Sequence, residues 1–176
     1  MNLNVNYIIP QSHANGPGTR YTLWVQGCSI HCPGCSNTDT WPFVGGKAWS
    51  VEALVEDIRK YAIDGVTITG GEPLDQYDAV SALLKEIPDI CTFMTTGYIL
   101  PQIYNKGQES IIDLLDFMCL GPYMADKPCK DSWKGSTNQI ILYRTERGIK
   151  QSKMPVVPRE VFIDENGDVI ETGFSS

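Results

Sequence analysis

The sequence lacks the long apolar run that a membrane-spanning helix needs, because no stretch approaches about 18 consecutive apolar residues. The opening segment MNLNVNYIIPQSH has no positively charged part followed by an apolar stretch, so no secretory signal is expected there. Positive charge is also scarce, since 14 Lys and Arg stand against 21 Asp and Glu and give a net charge of −7. We therefore expect a cytoplasmic protein with no membrane or nucleic-acid partner, and a basic surface on any protein that binds it.

Internal repeats and low-complexity segments are absent from the sequence. The 176 residues, of which 42% are hydrophobic and 20% charged, match the size and composition of one globular domain. We predict a single domain over residues 1–176, with a core at about 15–145 and a C-terminal extension at about 146–176.

Cysteine is sparse except in one segment, GCSIHCPGCSN at residues 27–37. Three of the six cysteines lie there: Cys28, Cys32 and Cys35. In a reducing compartment this crowding favours a metal site over disulfide bonds. Cys91 and Cys119 occur in apolar, strand-like runs and are interpreted as small core residues, whereas Cys129 in a polar loop has no assigned role.

The C-x3-C-x2-C segment lacks the fourth thiolate that usually completes a cubane iron-sulfur cluster. Three thiolates leave one iron with an open coordination position, where a substrate or cofactor can bind. A zinc site is the alternative, because His31 lies inside the loop and would complete a Cys3His set. Zinc sites usually draw paired ligands from two loops, so the single loop favours an iron-sulfur cluster.

Strand and helix patterns alternate along most of the chain. The predicted strands are 21–27, 66–69, 90–97, 116–121 and 138–143, and the predicted helices are 51–62, 76–87 and 108–115. This alternation predicts an α/β fold with a parallel sheet and right-handed crossovers. We expect a partial, open βα barrel of about five or six parallel strands, because a complete eight-fold barrel needs about 250 residues. The segment REVFIDENGDVIETG at 159–173 predicts an added β-hairpin around Asn166-Gly167.

Four loops of distinctive composition follow predicted strand ends, where ligands gather in parallel α/β folds. They are the cysteine loop, TGGEP at 69–73, TTGY at 95–98 and GPYMADKP at 121–128. Gly70 and Gly71 permit close backbone approach to a ligand, and the carboxylate of Glu72 suits a cationic ammonium group. Thr96 ends the third strand, where its hydroxyl is a candidate ribose ligand. Asn138 carries an amide suited to a purine or to backbone.

The cysteine loop and the Gly-Gly-Glu-Pro segment together resemble the radical S-adenosylmethionine superfamily. The resemblance implies a [4Fe-4S] cluster on Cys28, Cys32 and Cys35, with its open iron chelated by the amino and carboxylate groups of S-adenosylmethionine. One electron from the cluster would then yield a 5'-deoxyadenosyl radical. By the same resemblance, Gly70, Gly71 and Glu72 receive the methionine amino group.

A closer resemblance covers most of the chain. The stretches NGPGTRYTLWVQGCSIHCPGCSNTDTW, TGGEPL, TTGY and SWKGSTNQ are similar to the activases of anaerobic, class III ribonucleotide reductase and related glycyl radical enzymes. This implies a large glycyl radical enzyme as partner and a flavodoxin or ferredoxin as reductant. Two alternatives stay open: a stand-alone radical enzyme acting on a small molecule or peptide, and a non-catalytic iron-sulfur or zinc module.

The chain departs from the activase pattern at two places. Ser36 follows the third cysteine where many of these activases have an aromatic residue, and the C-terminal extension continues past the segment where they often end. We expect the extension to change the choice of partner or to cover the open side of the barrel.

Overall fold

The computed structural model describes residues 1–129, 133–163, 167 and 169–173. The strands are β1 Asn2–Ser12, β2 Arg20–Val25, β3 Lys47–Ser50, β4 Gly65–Gly70, β5 Cys91–Thr96, β6 Phe117–Leu120, β7 Ile140–Tyr143, β8 Arg159–Ile163 and β9 Val169–Gly173. The α-helices are α1 Val51–Ile58, α2 Tyr77–Glu86, α3 Leu100–Asn105 and α4 Glu146–Gln151. Short 3-10 helices cover Thr38–Thr40, Pro73–Gln76 and Glu109–Leu114.

The main sheet orders its strands β3-β1-β2-β4-β5-β6-β7. The four central strands β2, β4, β5 and β6 run parallel, and the strands on both edges run antiparallel to their neighbours. The α/β class with a parallel-rich sheet is therefore confirmed. Closure of the sheet into a partial barrel stays a prediction. The expectation that residues 1–176 form a single domain also stays a prediction.

The prediction of five or six parallel strands was wrong, because the main sheet has four among the described residues. The fifth predicted strand became β7, which pairs antiparallel with β6 in the register Phe117↔Tyr143 and Leu120↔Ile140. A parallel return needs a crossover, usually a helix. The described part of the connection between β6 and β7 holds only an isolated bridge between Pro128 and Ser136, so the chain turns back beside the strand it left.

Helix α1 begins where the sequence predicts but ends sooner. Ser50 is its N-cap, with its Oγ accepting a hydrogen bond from the backbone N–H of Ala53 at 3.1 Å. The helix ends at Ile58, and Lys60 N–H donates to the Asp57 carbonyl in a turn. Gly65 is the first residue of β4.

The two faces of the main sheet carry different side chains, as alternation along strands requires. Val66, Ile68 and Met94 point to the face where α1 and α2 pack, and they form the larger apolar core with Leu54 and Leu83. The opposite face carries a smaller cluster: Cys91, Phe93, Phe117, Cys119 and Trp133. The interpretation of Cys91 and Cys119 as buried small residues is confirmed.

The predicted C-terminal hairpin is confirmed as the antiparallel pair β8–β9, with Ile163 opposite Val169. Asn166, half of the predicted turn, lies outside the described residues. Gly167 is described and has a φ of +86°. Among the described residues, no helix is long and apolar enough to cross a membrane.

Candidate functional site

A cavity of about 350 Å³ opens where β2, β4, β5 and β6 end. The predicted site residues on its wall are Cys28, Cys32, Cys35, Gly70, Gly71, Glu72 and Thr96. The topology brings these residues together because parallel strands place their following loops at one edge of the sheet. A more open groove of about 730 Å³ between α1 and α2 holds none of them.

The cysteine loop is closed at its base by two backbone hydrogen bonds. Gly27 N–H donates to the Thr40 carbonyl at 2.7 Å, and Cys28 N–H donates to the Trp41 carbonyl at 3.0 Å. Ser29 fastens the loop to the neighbouring strand end, because its N–H and its Oγ both donate to the carboxylate of Asp75, at 2.7 and 2.9 Å.

The three thiols differ in exposure. Cys28 is buried at the end of β2, whereas Cys32 and Cys35 are partly exposed nearer the tip. Burial raises the pKa of the Cys28 and Cys32 thiols above the ordinary value, and backbone N–H groups at His31 and Ile30 partly oppose the shift at Cys28. A cationic metal centre would favour the thiolates.

The cysteine loop fits a cluster, since three sulfur donors line one cavity. Among the described residues, no three His, Cys, Asp or Glu side chains converge closely enough to hold a single metal ion. His31 is exposed, and its ring stacks on Trp41 with the centroids 4.7 Å apart.

Gly70 and Gly71 are both required by close packing inside the protein. Gly70 has a φ of +105°, and a Cβ there would lie 2.5 Å from the Val25 nitrogen. A Cβ on Gly71 would lie 2.1 Å from the carbonyl oxygen of Gly27, at the base of the cysteine loop. The two glycines thus let the end of β4 lie against the start of that loop.

Glu72 is almost completely buried and joins the ends of β4 and β5. Its Oε1 accepts from Leu74 N–H at 2.9 Å and Thr96 Oγ1 at 2.7 Å, and its Oε2 accepts from Gly97 N–H at 2.9 Å. Burial outweighs these hydrogen bonds and raises the pKa of Glu72 to about 7. A carboxylate oxygen accepts two donors, so Oε2 keeps capacity for a cationic group in the cavity.

Thr96 lines the cavity with its hydroxyl already engaged. Its Oγ1 donates to Glu72 and accepts from Tyr98 N–H at 3.1 Å. The residue therefore fixes Glu72 in place, and its role as a ribose ligand stays a prediction.

Asn138 is beside the cavity but is not among the residues that line it. Its Nδ2 donates to the Pro122 carbonyl at 2.8 Å, and its buried Oδ1 has no hydrogen-bond partner in the described part of the chain. The next residue, Gln139, lines the cavity instead and braces the loop by accepting from Gly135 N–H at 2.9 Å.

Sequence reasoning missed part of the cavity wall. The additional lining residues include Asn15, Trp24, Thr69, Thr95, Cys119, Cys129, Trp133, Glu171, Thr172 and Gly173. The hydroxyls of Thr69 and Thr95 share a hydrogen bond at 2.7 Å. Both residues alternate with apolar residues along their strands, and this pattern indicates that their side chains lie on the sheet face opposite the apolar core. Nothing in the sequence pattern links Glu171 and Thr172 to the cysteines.

Comparison with known proteins identifies the family. Residues 14–142 match the family described as 4Fe-4S single cluster domain. The anaerobic ribonucleoside-triphosphate reductase-activating protein of Escherichia coli (strain K12) is 32% identical over 151 residues, covering 79% of this chain and 97% of that protein. The protein of the same name from Enterobacteria phage T4 is 32% identical over 153 residues, covering 82% and 96%. The one from Pasteurella multocida (strain Pm70) is 34% identical over 157 residues, covering 81% and 99%.

Among solved structures, the crystal structure of QueE from Escherichia coli aligns with a TM-score of 0.47 at 22% identity, covering 55% of this chain and 53% of that chain. The family match confirms the predicted iron-sulfur cluster, and the relatives confirm the resemblance to the activating proteins of anaerobic ribonucleoside-triphosphate reductase. The chain belongs to the family of anaerobic ribonucleoside-triphosphate reductase-activating proteins.

Proposed function

We propose that this protein activates a partner glycyl radical enzyme, an anaerobic ribonucleotide reductase, by creating a radical on one of its glycines. The supporting observation is that three cysteines and the Gly70–Glu72 segment share one cavity in a chain of this family. When bound, the [4Fe-4S] cluster would supply one electron and S-adenosylmethionine a 5'-deoxyadenosyl group, which together would remove a hydrogen atom from the partner's glycine and release methionine and 5'-deoxyadenosine.

Different residues would hold the cluster and the cofactor. Cys28, Cys32 and Cys35 would bind three irons, leaving the fourth for the amino and carboxylate groups of the cofactor. Glu72 Oε2 would accept a hydrogen bond from an N–H of the iron-bound methionine amino group, which would favour the ionised carboxylate and lower its raised pKa.

The nucleoside part of the cofactor would lie towards Thr96 and Asn138. Asn138 would reach a purine only after a change of side-chain rotamer, because its buried, unpartnered Oδ1 does not open on the cavity. Gln139 would hold this loop in position from the cavity wall.

The electron must come from another protein, and a flavodoxin or ferredoxin is the proposed donor. A cytoplasmic location is proposed on the same basis, because free cysteines and an iron-sulfur cluster with an open iron require a reducing compartment.

The test is electron-spin resonance on a mixture of the anaerobically reconstituted protein, S-adenosylmethionine, a chemical reductant and the candidate glycyl radical enzyme from the same source. We expect a doublet signal on the partner that changes shape when its glycine is deuterated at the α carbon. Absence of that signal, together with turnover of a small molecule or peptide, would favour a stand-alone radical enzyme.

Cysteine variants test the cluster assignment in the same assay. Replacing Cys28, Cys32 or Cys35 by Ala should abolish cofactor cleavage, since each removes one thiolate. Cys91→Ala is the matched control, because Cys91 is buried in the smaller apolar cluster, and it should retain cleavage at a stability cost of about 1 kcal/mol. Substantial cleavage by Cys32→Ala would contradict the assignment.

A further inference from the structure

The C-terminal hairpin is fastened to the body of the protein by one carboxylate. Glu160 on β8 accepts from Ser12 Oγ at 2.6 Å, from His13 N–H at 2.9 Å and from Ala14 N–H at 3.0 Å. These bonds outweigh the effect of burial and lower the pKa of Glu160 below its ordinary value, so the carboxylate is ionised at neutral pH. Val157 N–H adds a backbone bond to the His13 carbonyl at 2.9 Å.

A second contact joins the hairpin to a residue of the cavity wall. Thr172 Oγ1 on β9 donates to Asn15 Oδ1 at 3.0 Å, and the Asn15 carbonyl accepts from Thr67 Oγ1 at 2.7 Å. Thr67 pairs with Phe93 on the sheet face that lies opposite α1 and α2. The hairpin therefore lies on the same face as the cavity.

The end of β9 forms part of the cavity wall. Glu171, Thr172 and Gly173 line the same space as the three cysteines, although β9 lies outside the 4Fe-4S single cluster domain at 14–142. Glu171 is 45% exposed and forms an ion pair with Arg159 across the hairpin. The wall thus includes a strand outside the matched family domain, with Thr172 facing the body and the Glu171 carboxylate on the exposed side beside Arg159.

We infer that Glu171 and Thr172 form the side of the cavity that recognises the glycine-bearing segment of the partner enzyme. This inference rests on the proposed function. The cysteines, Gly70–Glu72 and Gln139 occupy the strand-end walls assigned to the cluster and the cofactor, so the acceptor must approach along a different wall. A glycine has no side chain, and its recognition depends on backbone and on flanking residues.

The hairpin offers both kinds of contact. In the described part of the chain β9 pairs only with β8, so its other edge has backbone groups for an extended segment. Glu171 provides a negative charge for a basic residue beside the glycine, in a protein whose net charge is −7. The proposed occupant is therefore an extended, glycine-containing segment with a basic flanking residue.

The experiment compares Glu171→Lys with Arg159→Gln in the full chain. Arg159→Gln breaks the same ion pair but keeps Glu171, and Arg159 does not line the cavity. Two quantities are measured for each variant: the KM for S-adenosylmethionine during reductant-driven cleavage without partner, and the KM for the partner during glycyl radical formation. We expect Glu171→Lys to raise the partner KM at least about tenfold more than the cofactor KM. Arg159→Gln should change neither by more than about twofold.

Three results would overturn the inference. The first is an unchanged partner KM in Glu171→Lys, and the second is an equal effect of the two substitutions, which would reduce Glu171 to a member of a stabilising ion pair. The third is a parallel rise in both KM values, which would assign the wall to the cofactor. Wild-type protein that cleaves the cofactor but forms no glycyl radical would instead refute the proposed function and the inference with it.

Discussion

Gly71 packs directly against the base of the cysteine loop. A glycine after a strand indicates close approach of a ligand, yet the space beside Gly71 is filled by the Gly27 carbonyl. Glu72 N–H donates to that same carbonyl at 2.8 Å, so this segment is joined to the cysteine loop through backbone. The Gly70–Glu72 segment and the cysteine loop are therefore one structural unit.

A side chain at residue 71 should consequently damage the cluster as well as cofactor binding. In Gly71→Val the branched side chain must displace the base of the cysteine loop, because its Cβ would lie 2.1 Å from the Gly27 carbonyl oxygen. We expect iron and sulfide content after reconstitution to fall by at least half, together with the loss of S-adenosylmethionine binding.

The matched control is Gly107→Asn. Nothing lies within 4 Å of a Cβ there, and Asn tolerates the φ of +66°. A Gly71→Val protein with full cluster content that fails only to bind the cofactor would show that the glycine serves the ligand alone.

At the scale of elements, Asp116, which directly precedes β6, binds three other pieces of secondary structure. Its Oδ2 accepts from Thr92 N–H of β5 at 2.8 Å, and its two oxygens accept from Arg147 of α4 at 3.0 and 2.8 Å. Its backbone carbonyl accepts from Arg144 N–H, just after β7, at 2.8 Å. Burial disfavours the charge, but Arg147, Thr145 and Thr92 outweigh it, so the pKa of Asp116 lies below its ordinary value.

Asp116→Asn should therefore destabilise the protein in a pH-dependent way. A carboxyl group with a lowered folded-state pKa stabilises fully above its ordinary pKa of about 3.9, and this contribution is lost as the pH falls through the folded-state value. We expect the free energy of unfolding at pH 7 to fall by about 2–3 kcal/mol, as for hydrogen bonds to a charged group. Urea unfolding followed by circular dichroism should show the difference from wild type narrowing below about pH 4.

Asp113→Asn is the control for this substitution. Asp113 also pairs with an arginine, Arg144, but it is 75% exposed, so its replacement should cost no more than about 1 kcal/mol. Equal losses in the two variants would mean that Asp116 acts as an ordinary surface charge.

Some secondary-structure elements could be predicted from the sequence and others could not. The central strands and α1 were predictable, because runs such as VTIT and the spacing of Leu54 and Ile58 reflect burial on one face. Strand β1 was not, since its pairing with β2 shifts register twice and breaks the period-two pattern. The direction of β7 was missed because an antiparallel return depends on the chain between Gly121 and Gln139 and not on the strand itself.

Some residues of the candidate site could likewise be predicted from the sequence and others could not. Cysteines and the Gly-Gly-Glu segment carry their chemistry in local spacing, so their meeting at one cavity followed from strand order alone. Glu171 and Thr172 reach the cavity through tertiary contacts, Glu160 with Ser12 and Thr172 with Asn15, across 148 and 157 positions. No local pattern records contacts of that range.

At the scale of the whole molecule, the larger apolar core and the candidate site lie in different places. The larger apolar core lies under α1 and α2, and Cys28, Cys32 and Cys35 do not belong to it. The cysteine loop is held at its base by backbone hydrogen bonds at Gly27 and Cys28, which need no metal. The sheet and helices should therefore fold without the cluster, unlike small zinc domains that unfold when metal is removed.

Removing iron with a chelator under anaerobic conditions should accordingly leave the far-UV circular dichroism unchanged and shift Tm by less than about 5 °C. The effect should be confined to the cysteine loop, where Cys32 and Cys35 are partly exposed and should be alkylated by iodoacetamide sooner than the buried thiols. Cys91 and Cys119 provide internal controls in the same sample, because burial raises the pKa of their thiols to about 11 and about 12 and leaves little reactive thiolate. Mass spectrometry of the peptides would resolve the four sites. Alkylation of Cys91 and Cys119 at the rate of Cys32, with loss of the far-UV signal, would show instead that the cluster holds the whole fold together.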